Sequence, residues 1–174
     1  VEVILEDGEI TESAYAADCT ARAEDIRAAI NKAFHKGDGL YAAGEATSLA
    51  APLYFEGLAA DGMEERIAAR LVEVIRANGH KACFGILGAK WVPRVLARYG
   101  YADDAWKLFV QPEFPGWANW LKSGDGCLWE DWDGARSRNH IMFGDFMAWA
   151  YQYLGGIQLP EKEGSCAAIP DVKA

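Results

Sequence analysis

An all-α fold of successive helical hairpins is what this sequence predicts, and three observations carry it. Apolar residues recur at three- and four-residue steps in segment after segment, with charged residues between them. Glycine or Asn-Gly punctuates the segments, leaving connections of roughly two to eight residues, as helical hairpins require. No β-α alternation interrupts the series, and Phe84-Gly-Ile-Leu-Gly88 has neither the lysine nor the spacing of a phosphate loop. Hairpins at intervals of roughly 40 to 50 residues predict a helical repeat or part of a toroid; they share no sequence identity, so the repeat is structural only.

Residues 1–10 read as a short strand or the remnant of a preceding element, from the brief alternation Val1, Val3, Leu5. From Ser13 the pattern becomes helical, with Tyr15, Cys19, Ala23, Ile26, Ile30 and Phe34 on one stripe, until Gly37-Asp-Gly39 stops it. A second helix is expected over Thr47–Leu58, with Leu49, Pro52, Leu53, Tyr54 and Leu58 on its buried side and Pro52 in or near its first turn. The third has the plainest stripe: Met63, Ile67, Leu71, Val74 and Ile75 face inward, Glu64, Glu65, Arg66, Arg70, Glu73 and Arg76 face water, and Asn78-Gly79 ends it. A fourth runs from about Leu87 to Tyr99 and a fifth from Ala102 to Val110. The loop Gln111-Pro-Glu-Phe-Pro-Gly116 leads to a short segment around Trp117 and Trp120. A Gly-rich stretch from Ser123 to Arg138 then precedes a last helix over His140–Leu154, closed by Gly155-Gly156.

Seventeen Lys and Arg against 26 Asp and Glu in 174 residues leave a net charge of −9, the wrong sign for a nucleic acid or an anionic membrane as partner. A composition 51 % hydrophobic and 25 % charged is that of a folded chain rather than a disordered one. The sequence has no apolar run of the ~18 residues needed to span a bilayer, and the acidic VEVILEDGEI is unlike a secretion signal; no address for the protein follows. The four cysteines have no C-x-x-C spacing and read as free or buried thiols. The three histidines form no H-E-x-x-H pair, so neither a protein-built metal site nor a cofactor is expected.

Chemistry concentrates in Trp117–His140. This stretch holds four of the seven tryptophans, the acids Glu130, Asp131 and Asp133, two arginines and a histidine, largely outside helical pattern. Indole beside carboxylate suits a sugar: the ring covers the apolar face, while carboxylate, Arg and His bond the hydroxyls. The plainer alternative is a surface loop pinned to the helices by its tryptophans, with solvated acids.

The ordered blocks Phe84-Gly-Ile-Leu-Gly-Ala-Lys-Trp91, Gly100-Tyr-Ala-Asp-Asp-Ala-Trp-Lys-Leu108, Gln111-Pro-Glu-Phe-Pro-Gly-Trp117, Cys127-Leu-Trp-Glu-Asp-Trp-Asp-Gly134 and Ser137-Arg-Asn-His140 with Phe143-Gly144 add to this. Over residues 20–157 they resemble the later part of the catalytic domain of bacterial α-L-rhamnosidases of glycoside hydrolase family 78. The resemblance implies an (α/α)6 barrel, a ring of six hairpins, and inverting hydrolysis of terminal α-L-rhamnosides. Such enzymes hold a general acid and a general base roughly 6.5–9.5 Å apart, with a water between. By resemblance Glu130 is the base and His140 contacts the sugar. Trp117, Trp129 and Trp132 would wall the pocket, with Asp133 and Arg138 on its polar rim.

The chain departs from the family where Asp131 stands in place of its usual arginine, and in a loop from Glu130 to His140 shorter than in many members. Nothing in residues 1–60 matches the family's general-acid motif, and Glu45 and Asp145 are the other carboxylates to inspect. A ring of twelve helices needs on the order of 350 residues. The expected organisation is therefore an N-terminal extension over 1–12, a partial (α/α)6 domain over 13–157 and a tail over 158–174 leading toward a β-domain. The chain is expected to be a segment of a larger enzyme carrying the general-base half of the site, with rhamnose-containing glycosides or polysaccharides as partners. An open half-barrel implies self-association. Other readings are a non-catalytic carbohydrate-binding or scaffolding module, and another glycosidase or lyase on the same toroid.

Overall fold

The structure, a computed structural model, describes residues 3–4, 10–11 and 14–157 of the chain. The tail over 158–174, with Cys166, lies outside them. At the N-terminus β1 (Val3–Ile4) and β2 (Ile10–Thr11) form one antiparallel pair. The rest is helical: α1 (Ala14–Phe34), α2 (Ala46–Tyr54), α3 (Glu64–Ala77), α4 (Ile86–Arg98), α5 (Ala102–Val110), α6 (Trp117–Trp120) and α7 (Phe146–Trp149). These make the hairpin series that the periodicity predicts.

Helix α2 is shorter than its apolar pattern suggests. Pro52 lies in its last turn rather than its first, where it removes the N–H that would bond the Ser48 carbonyl; the helix stops two residues later. Helices α2 and α4 run parallel with α3 packed against both. At one end Gly88 is so close that a Cβ there would come within 2.6 Å of Thr47 Oγ1 and of Phe84 Cβ. At the other, Arg98 Nη1 donates to the Leu53 carbonyl at 2.9 Å. The loop 35–45, the turn 78–85 and the long loop 111–145 therefore gather at one end of the bundle.

The expected last helix is broken into a 3-10 turn (Ile141–Phe143), α7 and a π-helical turn (Ala150–Leu154). A continuous helix would bond the Met147 N–H to the Phe143 carbonyl. That carbonyl instead accepts from Trp117 Nε1 at 2.9 Å, and Met147 bonds Gly144 O. Asp145 starts α7 with two bonds from Arg94, 2.7 and 3.1 Å long, which hold the turn against α4.

One core runs from Tyr41 to Trp149, built on Leu49, Leu53, Ile67, Leu71, Ile75, Val92, Leu96 and Leu108 and continuing into an aromatic cluster. Helix α1 is mostly exposed, and polar groups hold it: Arg27 Nη2 and Asn31 Nδ2 donate to the carbonyls of Ala59 and Leu58. Asp104, at 3 % exposure, joins α5 to α3 by accepting from Arg76 at 2.9 and 2.7 Å and meeting His80 Nε2 at 2.8 Å. The Arg76 guanidinium, helped by His80 and opposed by burial, holds the Asp104 carboxyl at about 2.

Because this value is depressed in the folded state, the stability it contributes is present above the ordinary carboxylate range and lost as pH falls from about 4 toward 2. Asp104→Asn is expected to cost about 2 kcal/mol at pH 7. The gap between the two proteins should narrow over that acid window, as urea denaturation at stepped pH will measure.

Candidate functional site

The candidate site is a narrow loop whose two arms run antiparallel. His140 N–H donates to Leu128 O and Glu130 N–H to Ser137 O, both at 2.8 Å, so Glu130 and His140 sit on facing arms of one hairpin-shaped turn. Asp131 to Gly134 turn the chain between them. Sequence distance had separated Glu130 and His140 by ten residues; the turn brings them onto one short ladder.

The Glu130 side chain is about one-third exposed. Its Oε2 accepts from Ser137 N–H at 3.3 Å, and Arg136 Nη1 stands 3.7 Å from Oε1. The carboxylate is thus oriented, loosely paired with Arg136 and still about one-third open to water. Arg136 also stands 3.6 Å from Asp131 Oδ2, whereas Asp131 Oδ1 is buried with no hydrogen-bond partner among the described residues. Asp133 is exposed and accepts from Ala135 N–H at 2.9 Å. That N–H lowers its carboxyl below the usual range.

His140 caps the turn that follows: its Nδ1 accepts from Met142 N–H at 3.2 Å. In the neutral ring that bond puts the proton on Nε2, making Nε2–H a donor suited to a hydroxyl oxygen. Arg138 lies across the Trp129 ring, 4.6 Å from its centroid, and donates to Gly134 O and Asp125 Oδ2 at 3.3 Å each.

The tryptophans pack on one another and on Phe143, largely out of solvent. Trp117 and Trp129 are each 7 % exposed, and Trp132 is half-buried. Trp117 and Trp132 meet edge to face at 4.9 Å, Trp132 and Phe143 lie 4.3 Å apart, and Trp120 packs on both Trp129 and Trp132. Trp120 Nε1 donates to Trp132 O at 3.0 Å and Trp132 Nε1 to Phe84 O at 2.6 Å. A tryptophan in a Gly-rich loop reads as exposed; backbone carbonyls that satisfy the indole N–H let it be buried. Trp129 Nε1 differs, being buried and unpartnered among the described residues.

Of the two further carboxylates, Asp145 is engaged by Arg94, and exposed Glu45 accepts from Ser48 Oγ at 3.0 Å. Among the described residues, neither shares a hydrogen bond or ion pair with Glu130. Arg136 and Asp125 entered the site only with the structure, since nothing in their sequence neighbourhood marks which loop atoms they reach. Among the described residues no group of three or more His, Cys, Asp or Glu side chains is placed to hold a metal ion. No described helix is long and apolar enough to cross a membrane.

Residues 7–154 match the family described as the bacterial alpha-L-rhamnosidase 6 hairpin glycosidase domain. An alpha-L-rhamnosidase of Formosa agariphila is 28% identical over 164 residues, covering 87% of this chain and 17% of that protein. One from Alteromonas sp. is 25% identical over 111 residues. Among solved structures, the Streptomyces avermitilis alpha-L-rhamnosidase complexed with L-rhamnose superposes with a TM-score of 0.78 at 28% identity, over 84% of this chain and 15% of that one. The native Aspergillus terreus enzyme gives 0.73 at 27% identity, over 79% of this chain and 17% of that one. The chain thus spans less than a fifth of the length of these relatives.

Proposed function

Since this chain belongs to the bacterial alpha-L-rhamnosidase six-hairpin glycosidase family, we propose that it carries the general-base half of an inverting α-L-rhamnosidase site. Glu130 takes a proton from water as that water attacks the anomeric carbon, while a general acid protonates the departing glycosidic oxygen. His140, through Nε2–H, and Asp133 and Arg138 at the loop rim bond the sugar hydroxyls. Trp132, the one of the three candidate tryptophans that is partly exposed, presents that part of its ring to the sugar, and Trp117 packs against it. The single observation that carries this reading is the Glu130 carboxylate, one-third exposed and fixed by Ser137 N–H, on the arm facing His140. Rhamnose as the sugar is supported by the Streptomyces relative, whose structure was solved with L-rhamnose bound.

Asp145 is tied to Arg94 and Glu45 to Ser48, so neither is offered as the general acid, which the family resemblance puts in an earlier part of the ring. The test is a proton NMR time course on an aryl α-L-rhamnoside. A protein carrying the whole six-hairpin ring should release β-L-rhamnose first and only later its α anomer by mutarotation. This chain by itself should release none. Initial release of α-L-rhamnose would overturn the inverting assignment, and turnover by this chain alone would overturn the half-site.

A further inference from the structure

Arg138 bridges three points of the loop that are distant in sequence. Its guanidinium covers Trp129 at 4.6 Å, its Nε donates to Gly134 O at the far turn, and its Nη1 reaches Asp125, four residues before Trp129 on the incoming arm. Gly134 completes the box: a Cβ there would stand 2.7 Å from Trp129 Cε3 and Cζ3 and 3.1 Å from Arg138 Nε, so backbone, indole and guanidinium are in mutual contact. Trp120 packs on Trp129 at 5.5 Å as well. Trp129 is the covalent neighbour of Glu130, and the ladder bonds that place the Glu130 and His140 arms begin within one residue of it.

We infer that Asp125 is a positioning residue for the reaction. By anchoring Arg138 over Trp129 it fixes the arm that presents Glu130, an action distinct from any contact Arg138 makes with sugar. The inference rests on Glu130 being the base, and a chain of contacts, Asp125 to Arg138 to Trp129, carries it. A guanidinium stacked on an indole and tied at both ends loses little freedom when substrate binds. Arg138 is exposed and Asp125 partly so, and each contact is individually weak, so the effect lies in removing a motion of the arm rather than in stability.

Amide hydrogen exchange on this chain tests the clamp without recourse to activity. In Asp125→Ala the Glu130 and His140 amides should exchange about tenfold faster, while Leu71 and other α3 amides keep the parent rate. Arg138→Ala should do the same, the double variant should be no faster than Arg138→Ala alone, and Asp125→Glu should restore much of the protection. In the active protein, Asp125→Ala should lower kcat about tenfold and leave KM within about twofold. Unchanged exchange at both amides, multiplying effects in the double variant, or an unchanged kcat would each overturn the inference. Glu130→Gln, run alongside, separates the two readings. If it stays active the general base is lost as an assignment, while the exchange data still decide the clamp.

Discussion

Glu130→Gln is expected to lower kcat on an aryl α-L-rhamnoside by about 10³-fold in a protein carrying the whole ring, with KM changed by no more than about threefold. The substitution keeps the side chain's shape and an oxygen to accept from Ser137 N–H, so the loop should stay as it is. What it removes is the capacity to take a proton from the attacking water. A positioned general base contributes on the order of 10² to 10⁴ in rate, and a loss confined to kcat is the mark of an interaction made in the transition state. Initial-rate kinetics check it. A variant within tenfold of the parent would end the assignment of Glu130, whatever the loop geometry.

The largest effect on stability should come from Trp149→Ala, at about 3 to 5 kcal/mol. Trp149 is 1 % exposed, packs at 4.9 Å from Phe109 and donates from Nε1 to the Pro93 carbonyl at 3.0 Å. Truncation leaves a large cavity between α4, α5 and α7, and removes the indole N–H held by that carbonyl. Urea denaturation should show the midpoint falling by a large fraction of its starting value. A loss below about 1 kcal/mol would mean that this part of the core repacks freely. Trp149→Phe, which keeps a ring but lacks the donor, should fall between the two.

The helices whose apolar stripe and end signals agree were legible from sequence nearly to the residue: α3 with Ile67, Leu71 and Ile75 before Asn78-Gly79, and α5 from Ala102 to Val110. Where tertiary contacts compete for a backbone group, the pattern misled. Trp117 takes the Phe143 carbonyl and breaks a helix that periodicity alone would continue, and Pro52 ends α2 despite the apolar residues beyond it. In the candidate site Glu130 and His140 were singled out by the fixed order of their motifs, and the ladder places them on facing arms. The depth of Trp117 and Trp129 could not, since burial of an indole depends on which carbonyl meets its N–H. Asp125 and Arg136 were equally unreadable, as each reaches its partner only once the chain has turned at Asp131 to Gly134.

The two ladder bonds that close the arms, Leu128 with His140 and Glu130 with Ser137, also divide the loop by evolvability. Trp132, inside the turn, and Phe143, beyond the ladder, are committed to carbonyls and ring contacts of the core, so a change of length beside either would disturb the packing beneath the loop. Residues 133–136, between Trp132 and the ladder residue Ser137, are largely exposed and touch the core chiefly through Gly134 against Trp129. Insertions or deletions accepted there would redraw the exposed rim of the loop and leave the ring contacts around Phe143 in place. Under the proposed function, lengthening or shortening this one short turn is a route to new substrate preferences.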